Sequence, residues 1–591
     1  MVRMPWVKGL LVSFPFDDFI KEKRASAKIK DIYGKEYDIL EDKIEIIFTK
    51  SQFKMWKYYS SWDEYKEFFK KFECMIGICN EEEDVFQDKK LNYQMLQTLT
   101  DITDEEINYL TSKTNQKISM MSNDRKTMLD VFGVSKNRKN MNHFQQSLLL
   151  YPEMLEDEYT KHSLKQIKKK VVKEARSGKI DINCKYAFAC PDLYAFCEYL
   201  FLDNKNPQGL LKNGEVSFSE YETEKDLDCL RSPHLYREHA VRINIHNNET
   251  KKWYITKGIY TSIHDPISKI LMFDNDGDTL LIVRDEVFVN VAKRNMKGII
   301  PLFYNMRKAD NHQISPDMIY QGLTSAYTGG NIGIISNDIS KVWNSDEINL
   351  DIIKWKCMLN NFTIDYAKTL YKPKIPILHK NIISSYTKLK APHFFMYAKD
   401  KGEHQVESKN NSTMNRISEA VLDRRMNFSK INVEPFDYKM LMRNKEATFN
   451  PEIIELYQKH DRENARRGVN SISKRNTKDG VSEYIKIRID IEEYFKERGI
   501  DIFQVVDSLI DYLFNHKNSK FKKTFWSSFG DIVLINLKKN IEEKSLQDTI
   551  VCENCGTRVT KKSNRTKYCD PCWKEHRNEY QKELMREKRK K

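Results

Sequence analysis

The sequence predicts an α+β protein: two modules of short β-strands, separated and followed by helical segments, and closed by a small metal-binding element. Three observations carry this. Short β-type runs cluster in residues 1–60 and 180–295, whereas the stretches between and after them place apolar residues at three- and four-residue spacing. An acidic motif, Asp274-Asn275-Asp276-Gly277-Asp278, leads directly into the apolar run Thr279-Leu280-Leu281-Ile282-Val283. Two Cys-x-x-Cys pairs, Cys552/Cys555 and Cys569/Cys572, stand thirteen residues apart near the C-terminus.

In chain order, residues 1–60 alternate β-type runs with turns, as in Gly9-Leu10-Leu11-Val12-Ser13-Phe14 and Lys43-Ile44-Glu45-Ile46-Ile47-Phe48. Residues 61–179 form a helical connector with a basic segment, Lys165 to Lys170, near its end. Residues 180–295 return to strands, with Ile180 to Cys184, Val241 to Ile245 and the run after the aspartates. Residues 296–460 are mostly helical, broken by Tyr327-Thr328-Gly329-Gly330-Asn331, where paired glycines allow a tight turn or a close backbone approach. Residues 461–480 read as a basic linker, 481–548 as a helical domain and 549–591 as the metal-binding element with a basic tail. No repeat of solenoid period is present in the sequence.

At 591 residues, 40% apolar and 12% aromatic, the chain can bury several cores and is not a disordered polymer. No run approaches the ~20 apolar residues of a membrane helix, and Arg3 and Lys8 flank only a short apolar stretch, unlike a secretory leader. A cytoplasmic protein without a membrane partner is expected. Seven of the eleven cysteines are scattered through core-like segments and four form the terminal cluster, which fits a reducing compartment. The net charge of +14 favours a polyanionic partner if the cations cluster, and otherwise describes a generic basic surface.

On an extended backbone Asp274, Asp276 and Asp278 point the same way and can share one hard cation such as magnesium, with Gly277 bending the chain between them. A calcium loop fits poorly, because glycine comes fourth rather than sixth and an apolar strand replaces the later ligands. An acidic turn between strands remains open. The four cysteines supply a closed tetrahedral set for structural zinc, and the basic tail beyond Trp573 serves equally as a phosphate-tracking helix or a solvated one.

The acidic motif and its following strand resemble the catalytic loop of the two-barrel RNA polymerases, whose active site lies between two double-psi β-barrels. Gly209 to Val216 and Arg231-Ser232-Pro233-His234 are similar to upstream signals of the RNA-silencing, RNA-dependent members. Gly330 to Asn337 and Ile364 to Thr369 resemble downstream helices in the same order, and single-chain polymerases of phages and Gram-positive bacteria are similar too. Arg3-Met4-Pro5-Trp6-Val7-Lys8-Gly9 and Ser51-Gln52-Phe53-Lys54-Met55 resemble the lysine-bearing segments of the other barrel, which here looks incomplete.

The resemblance implies a nucleotidyltransferase that adds ribonucleotides to an RNA 3′ end, with DNA or RNA as template and nucleoside triphosphates as substrates. Asp274, Asp276 and Asp278 would hold catalytic Mg2+, Lys8 and Lys54 would offset phosphate charge, and Trp6 and Phe14 would sit in the barrel core. Arg307, Lys308, Lys368, Gly329 and Gly330 would contact nucleic acid, and Zn2+ would be structural. A separate polypeptide completing the first barrel is a further implied partner. The rival expectations are an inactive or split-gene fragment that only binds nucleic acid, and a metal-dependent nuclease.

Overall fold

The computed structural model describes residues 1–591 except 137, 139, 303–312, 314, 329, 429–433, 469–482, 548, 556–557, 561–565 and 591. The chain divides into two compact units, the first comprising Met1–Gln116 and Val171–Asp423, the second Lys117–Lys170 and Arg424–Lys591. Residues 61–179, expected as one connector, are therefore shared between them. No described helix is long and apolar enough to cross a membrane.

The first unit opens with β1 (Val2–Met4), β2 (Val7–Gly9), β3 (Lys28–Lys30), β4 (Glu36–Asp38) and β5 (Gly77–Ile78). β1 lies between β2 and β5, and β3 pairs with β4, so the described N-terminal residues form open sheets and no closed barrel. The runs expected as strands at Leu10 to Phe14 and Lys43 to Phe48 are irregular. Their apolar residues serve packing instead: Leu10, Phe14, Ile44 and Ile47 join the cluster around Phe19, Tyr194 and Trp253.

Six strands, β6 (Cys184–Pro191), β7 (Glu215–Ser217), β8 (Asp226–Leu230), β9 (Ala240–Asn244), β10 (Ile259–Thr261) and β11 (Thr279–Val283), close into a barrel in the order β10-β6-β11-β8-β9-β7. The expected strands at Val241 and Thr279 are present, whereas Ile180 to Asn183 precede the ladder. Ile180 and Ile182 are buried all the same. The uninterrupted apolar run of β11 follows from burial on both faces. Leu280 and Ile282 point into the cluster of Ala187, Phe218, Leu227 and Ile259, while Leu281 and Val283 point into that of Phe288, Val291 and Met414. Asp285, which accepts from the Phe288 amide at 3.0 Å, caps the helix Glu286–Met296 that covers this outer face.

The second unit is helical, built on Leu148, Leu164, Ile454, Ile491, Phe495, Leu509, Phe525 and Leu537. The expected linker at 461–480 begins as helix, because Pro451–Gly468 is continuous. Good helix formers without glycine or proline fill it from Glu452 to Arg467. Its remaining residues lie outside those described. Lys522, fully buried, donates to Asp157, which also accepts from the amide of Tyr159 at 3.1 Å. Burial pushes the Asp157 carboxyl up and the Lys522 amine down from their ordinary values, and their mutual attraction opposes both shifts. Replacing one partner strands the other charge, so Lys522→Met should lower urea-unfolding stability by about 3–5 kcal/mol. The double replacement with Asp157→Leu should recover most of that loss.

Candidate active site and metal centre

The acidic loop is anchored at both ends. Phe273 is buried before it, and after it the Ala189 amide donates to the Asp278 carbonyl at 2.9 Å, extending the β6–β11 ladder into the loop. Gly277 has φ of +119°, a backbone conformation that favours glycine.

Lys8 reaches this loop from β2. Its amide donates to the Gln52 carbonyl at 3.1 Å, and the Lys54 amide donates to the Trp6 carbonyl at 2.8 Å. Val7 therefore sits opposite Phe53, and both are buried. Alternation along extended chain turns the side chains of Lys8 and Lys54 to the other face. Lys8 Nζ donates to Asp276 Oδ2 at 2.7 Å, each side chain 34% exposed. Lys8, Lys54, Asp274, Asn275 and Asp276 line one cavity of about 820 Å³, walled elsewhere by apolar residues including Phe14, Ile47 and Phe201.

The third carboxylate faces elsewhere. Asp278 Oδ2 accepts from the Asp274 amide at 3.0 Å and pairs with Arg231 at 3.0 Å, while Arg231 also donates to the Met272 carbonyl at 2.6 Å. Asp276 and Asp278 are thus held by two different cations, Lys8 and Arg231. Like charges repel, and two of the three carboxylates take cations from other segments. The set still fits a hard cation chemically, being all oxygen and already drawing an ammonium to Asp276.

The cysteines do converge. The sulfurs of Cys552, Cys555, Cys569 and Cys572 all lie within 4.8 Å of one another, beside the hairpin of β12 (Thr549–Val551) and β13 (Arg558–Thr560). Cys555 and Cys569 are 3.6 Å apart, too far for a disulfide and close to the ~3.8 Å edge of a tetrahedron with ~2.3 Å zinc–sulfur bonds. The Cys555 amide holds the Cys552 thiol down at about 6, whereas the Cys569 thiol beside Cys572 pushes it up to about 12. Without a cation, four crowded sulfurs do not readily share several negative charges.

No family model matches the chain. The DNA-directed RNA polymerase YonO of Bacillus phage SPbeta is 49% identical over 584 residues, which span 98% of this chain and 68% of that protein. The chain belongs to the YonO family of RNA polymerases. Its family is thus one of nucleotidyltransferases. Among solved structures, the RNA-dependent RNA polymerase QDE-1 of Thielavia terrestris aligns over 79% of this chain and 58% of that one, at 11% identity and a TM-score of 0.49.

The structure distributes the remaining expected residues of this family member unevenly. Arg307, Lys308 and Gly329 lie outside the described residues. Lys368 lies on the short helix Tyr366–Thr369. Gly330, at φ of +121°, precedes Asn331, which caps the helix Ile332–Trp343 through the Ile334 amide, and this accounts for the glycine as a turn. Phe14, expected in a barrel core, stacks instead on Trp253 at 5.8 Å from an irregular segment, half-buried. Trp6, also expected there, is 53% exposed at φ of 63° in the turn between β1 and β2.

Sequence reasoning missed Arg231. Antiparallel register puts Leu230 opposite Leu281, so the residue after β8 arrives beside the end of the acidic loop, and nothing local in the sequence reveals that pairing. Behind it the turn is fixed by a buried set: His234 Nε2 and His239 Nε2 lie 3.3 and 3.1 Å from Thr98 Oγ1, and His239 Nδ1 lies 2.7 Å from Asp228. Burial holds the His234 ring well below its ordinary value, hence neutral.

For the cysteine cluster, purified protein should carry about one zinc per chain by elemental analysis, and Cys552→Ser should reduce it to near zero. Zinc content unchanged in the variant would rule out this ligand set.

Proposed function

We propose that the chain synthesises RNA on a DNA template, using the acidic loop and Lys8 as the catalytic centre and the six-stranded barrel as a double-psi barrel. The observation that carries this is the Lys8–Asp276 contact, which joins residues 268 positions apart on two separate β-modules. The likeness to a DNA-directed phage polymerase supports the choice of template and a role in the cytoplasm of an infected bacterium.

Asp274, Asp276 and Asp278 would hold one magnesium ion and a second would arrive with the triphosphate, together lowering the pKa of the RNA 3′-hydroxyl and offsetting charge on attacking and leaving oxygens. The residues do the rest. With Asp276 among the residues that would hold the ion, Lys8 would be free to donate to a phosphate oxygen of the incoming nucleotide. Lys54, exposed on the same face, adds a second donor beside the cavity, and neither lysine has to lose a proton. Arg231 orients Asp278 and the loop carbonyl of Met272. The four cysteines would hold structural zinc.

A second reading is favoured by one observation. β5 pairs only with β1 among the described residues, and near its free edge Phe72, Met75, Ile76 and Ile78 are 61–83% exposed. Here the chain would act only with a further polypeptide that pairs with β5.

Primer extension with magnesium and labelled ribonucleotides separates these. Asp276→Ala should abolish incorporation on DNA, and Lys8→Ala should slow it by about 10²–10³-fold with folding intact. Incorporation that appears only after adding the polypeptide encoded alongside favours the second reading, and short products released without nucleotides indicate a nuclease. Wild-type rates in Asp276→Ala would refute the proposed centre.

A further inference from the structure

The second unit carries a cationic surface that the catalytic reading does not use. On the helix Glu158–Arg176, His162, Lys165 and Lys169 follow at three- and four-residue steps and share one face. A loop some 350 residues later meets it. Phe521 packs edge-on against the His162 ring at 5.3 Å, and Lys520 lies over Phe521 at 5.2 Å. The buried Lys522–Asp157 pair fastens this loop to the start of the same helix, while Ser519 Oγ accepts from the Phe521 amide at 3.1 Å and shapes the turn. Lys520 and Phe521 are thereby held outward.

Three properties of the surface point to a ligand. Lys165, Lys169 and Lys520 are exposed, and none has an ion-pair partner among the described residues. Phe521 is 65% exposed, with Lys520 over one side of its ring and His162 at its edge. Burial, together with the charges of Lys520, Lys165 and Lys169, holds the His162 ring below its ordinary value and therefore uncharged near neutrality. Cations without a carboxylate partner, two of them resting on aromatic rings (Lys165 on Phe428 at 5.6 Å and Lys520 on Phe521), suit a chain of phosphates with splayed bases.

We propose that this face of the second unit binds single-stranded nucleic acid, with Lys165, Lys169 and Lys520 on successive phosphates and Phe521 stacked on an unpaired base. Because the site includes no catalytic carboxylate, it is independent of the proposed chemistry. DNA and RNA share the backbone charge and base faces it would recognise.

The test uses the full chain, without nucleotides, and fluorescent single-stranded DNA and RNA of one sequence, titrated by anisotropy over a range of salt. The triple variant K165E/K169E/K520E should bind about tenfold or more weakly near 0.1 M salt, and its log–log salt slope should fall by about 2, at roughly 0.7 per phosphate contact. Phe521→Ala should weaken binding by about five- to a hundredfold with little change in slope. Loss for DNA alone assigns the surface to a DNA strand, loss for RNA alone to the transcript, and loss for both to backbone tracking. A control triple in the same unit, K538E/K539E/K544E, reports general charge. The proposal is overturned if the control loses as much as the test triple, or if the test triple and Phe521→Ala both bind within twofold of wild type while melting normally.

Discussion

The placement of the acidic loop depends on one constraint: β11 is buried on both faces, so only its charged ends can fix where it stops. A strand that is apolar throughout could slide by one residue without exposing a polar side chain. Here Asp278 precedes it, and Arg284, paired with Glu222 at 3.1 Å, follows it. A slip of one residue would put Arg284 in the buried place of Val283, against the apolar cluster under the covering helix, at a cost of several kcal/mol, or Asp278 in the half-buried place of Thr279. The carboxylate and the guanidinium thus act as stops, and the loop carrying Asp274 and Asp276 is held at the barrel's edge.

The same loop must keep three negative charges close together. It does so by borrowing cations from distant segments, Lys8 from β2 and Arg231 from the end of β8. Both pairs are about a third exposed, so solvent screens them and each is worth on the order of 1 kcal/mol or less. Such partners are readily exchanged, as binding of a divalent ion and of nucleotide phosphates would require. The cysteine cluster differs because its sulfurs tolerate proximity while only one of them, Cys552, readily gives up its proton, and so it is already gathered.

What could be read from the sequence was local. The acidic motif, the strand after it and the paired Cys-x-x-Cys all announce themselves within a few residues, and the helix after Asn331 was likewise legible. Contacts set by topology were not. Lys8 is one of 99 basic residues, and only the family resemblance picked it out, because the meeting with Asp276 depends on how two modules fold. Arg231 was visible only as part of a turn. The apolar runs at Leu10 and Ile44 misled because period-2 alternation reports burial on alternate sides, and irregular chain lying on a core produces the same signal. Trp6 misled in the opposite direction: a large aromatic was assumed buried where the chain turns outward.

The support beneath Lys8 is thin. β1, β2 and β5 are two or three residues long, and the buried residues below them are Met4, Val7, Phe53 and Tyr65, reinforced by Trp62 stacked on Tyr65 at 4.8 Å. Sheets this short have little stability of their own. The pairing crosses β1 at two residues: Val2 is opposite Ile78 and Gly9, and Arg3 is opposite Gly77 of β5 on one side and Lys8 of β2 on the other. Order at the free edge of β5 is thus one residue removed from the lysine that meets Asp276. A strand added there would stiffen β5 and β1 and, through Arg3, narrow the positions open to Lys8 at the acidic loop.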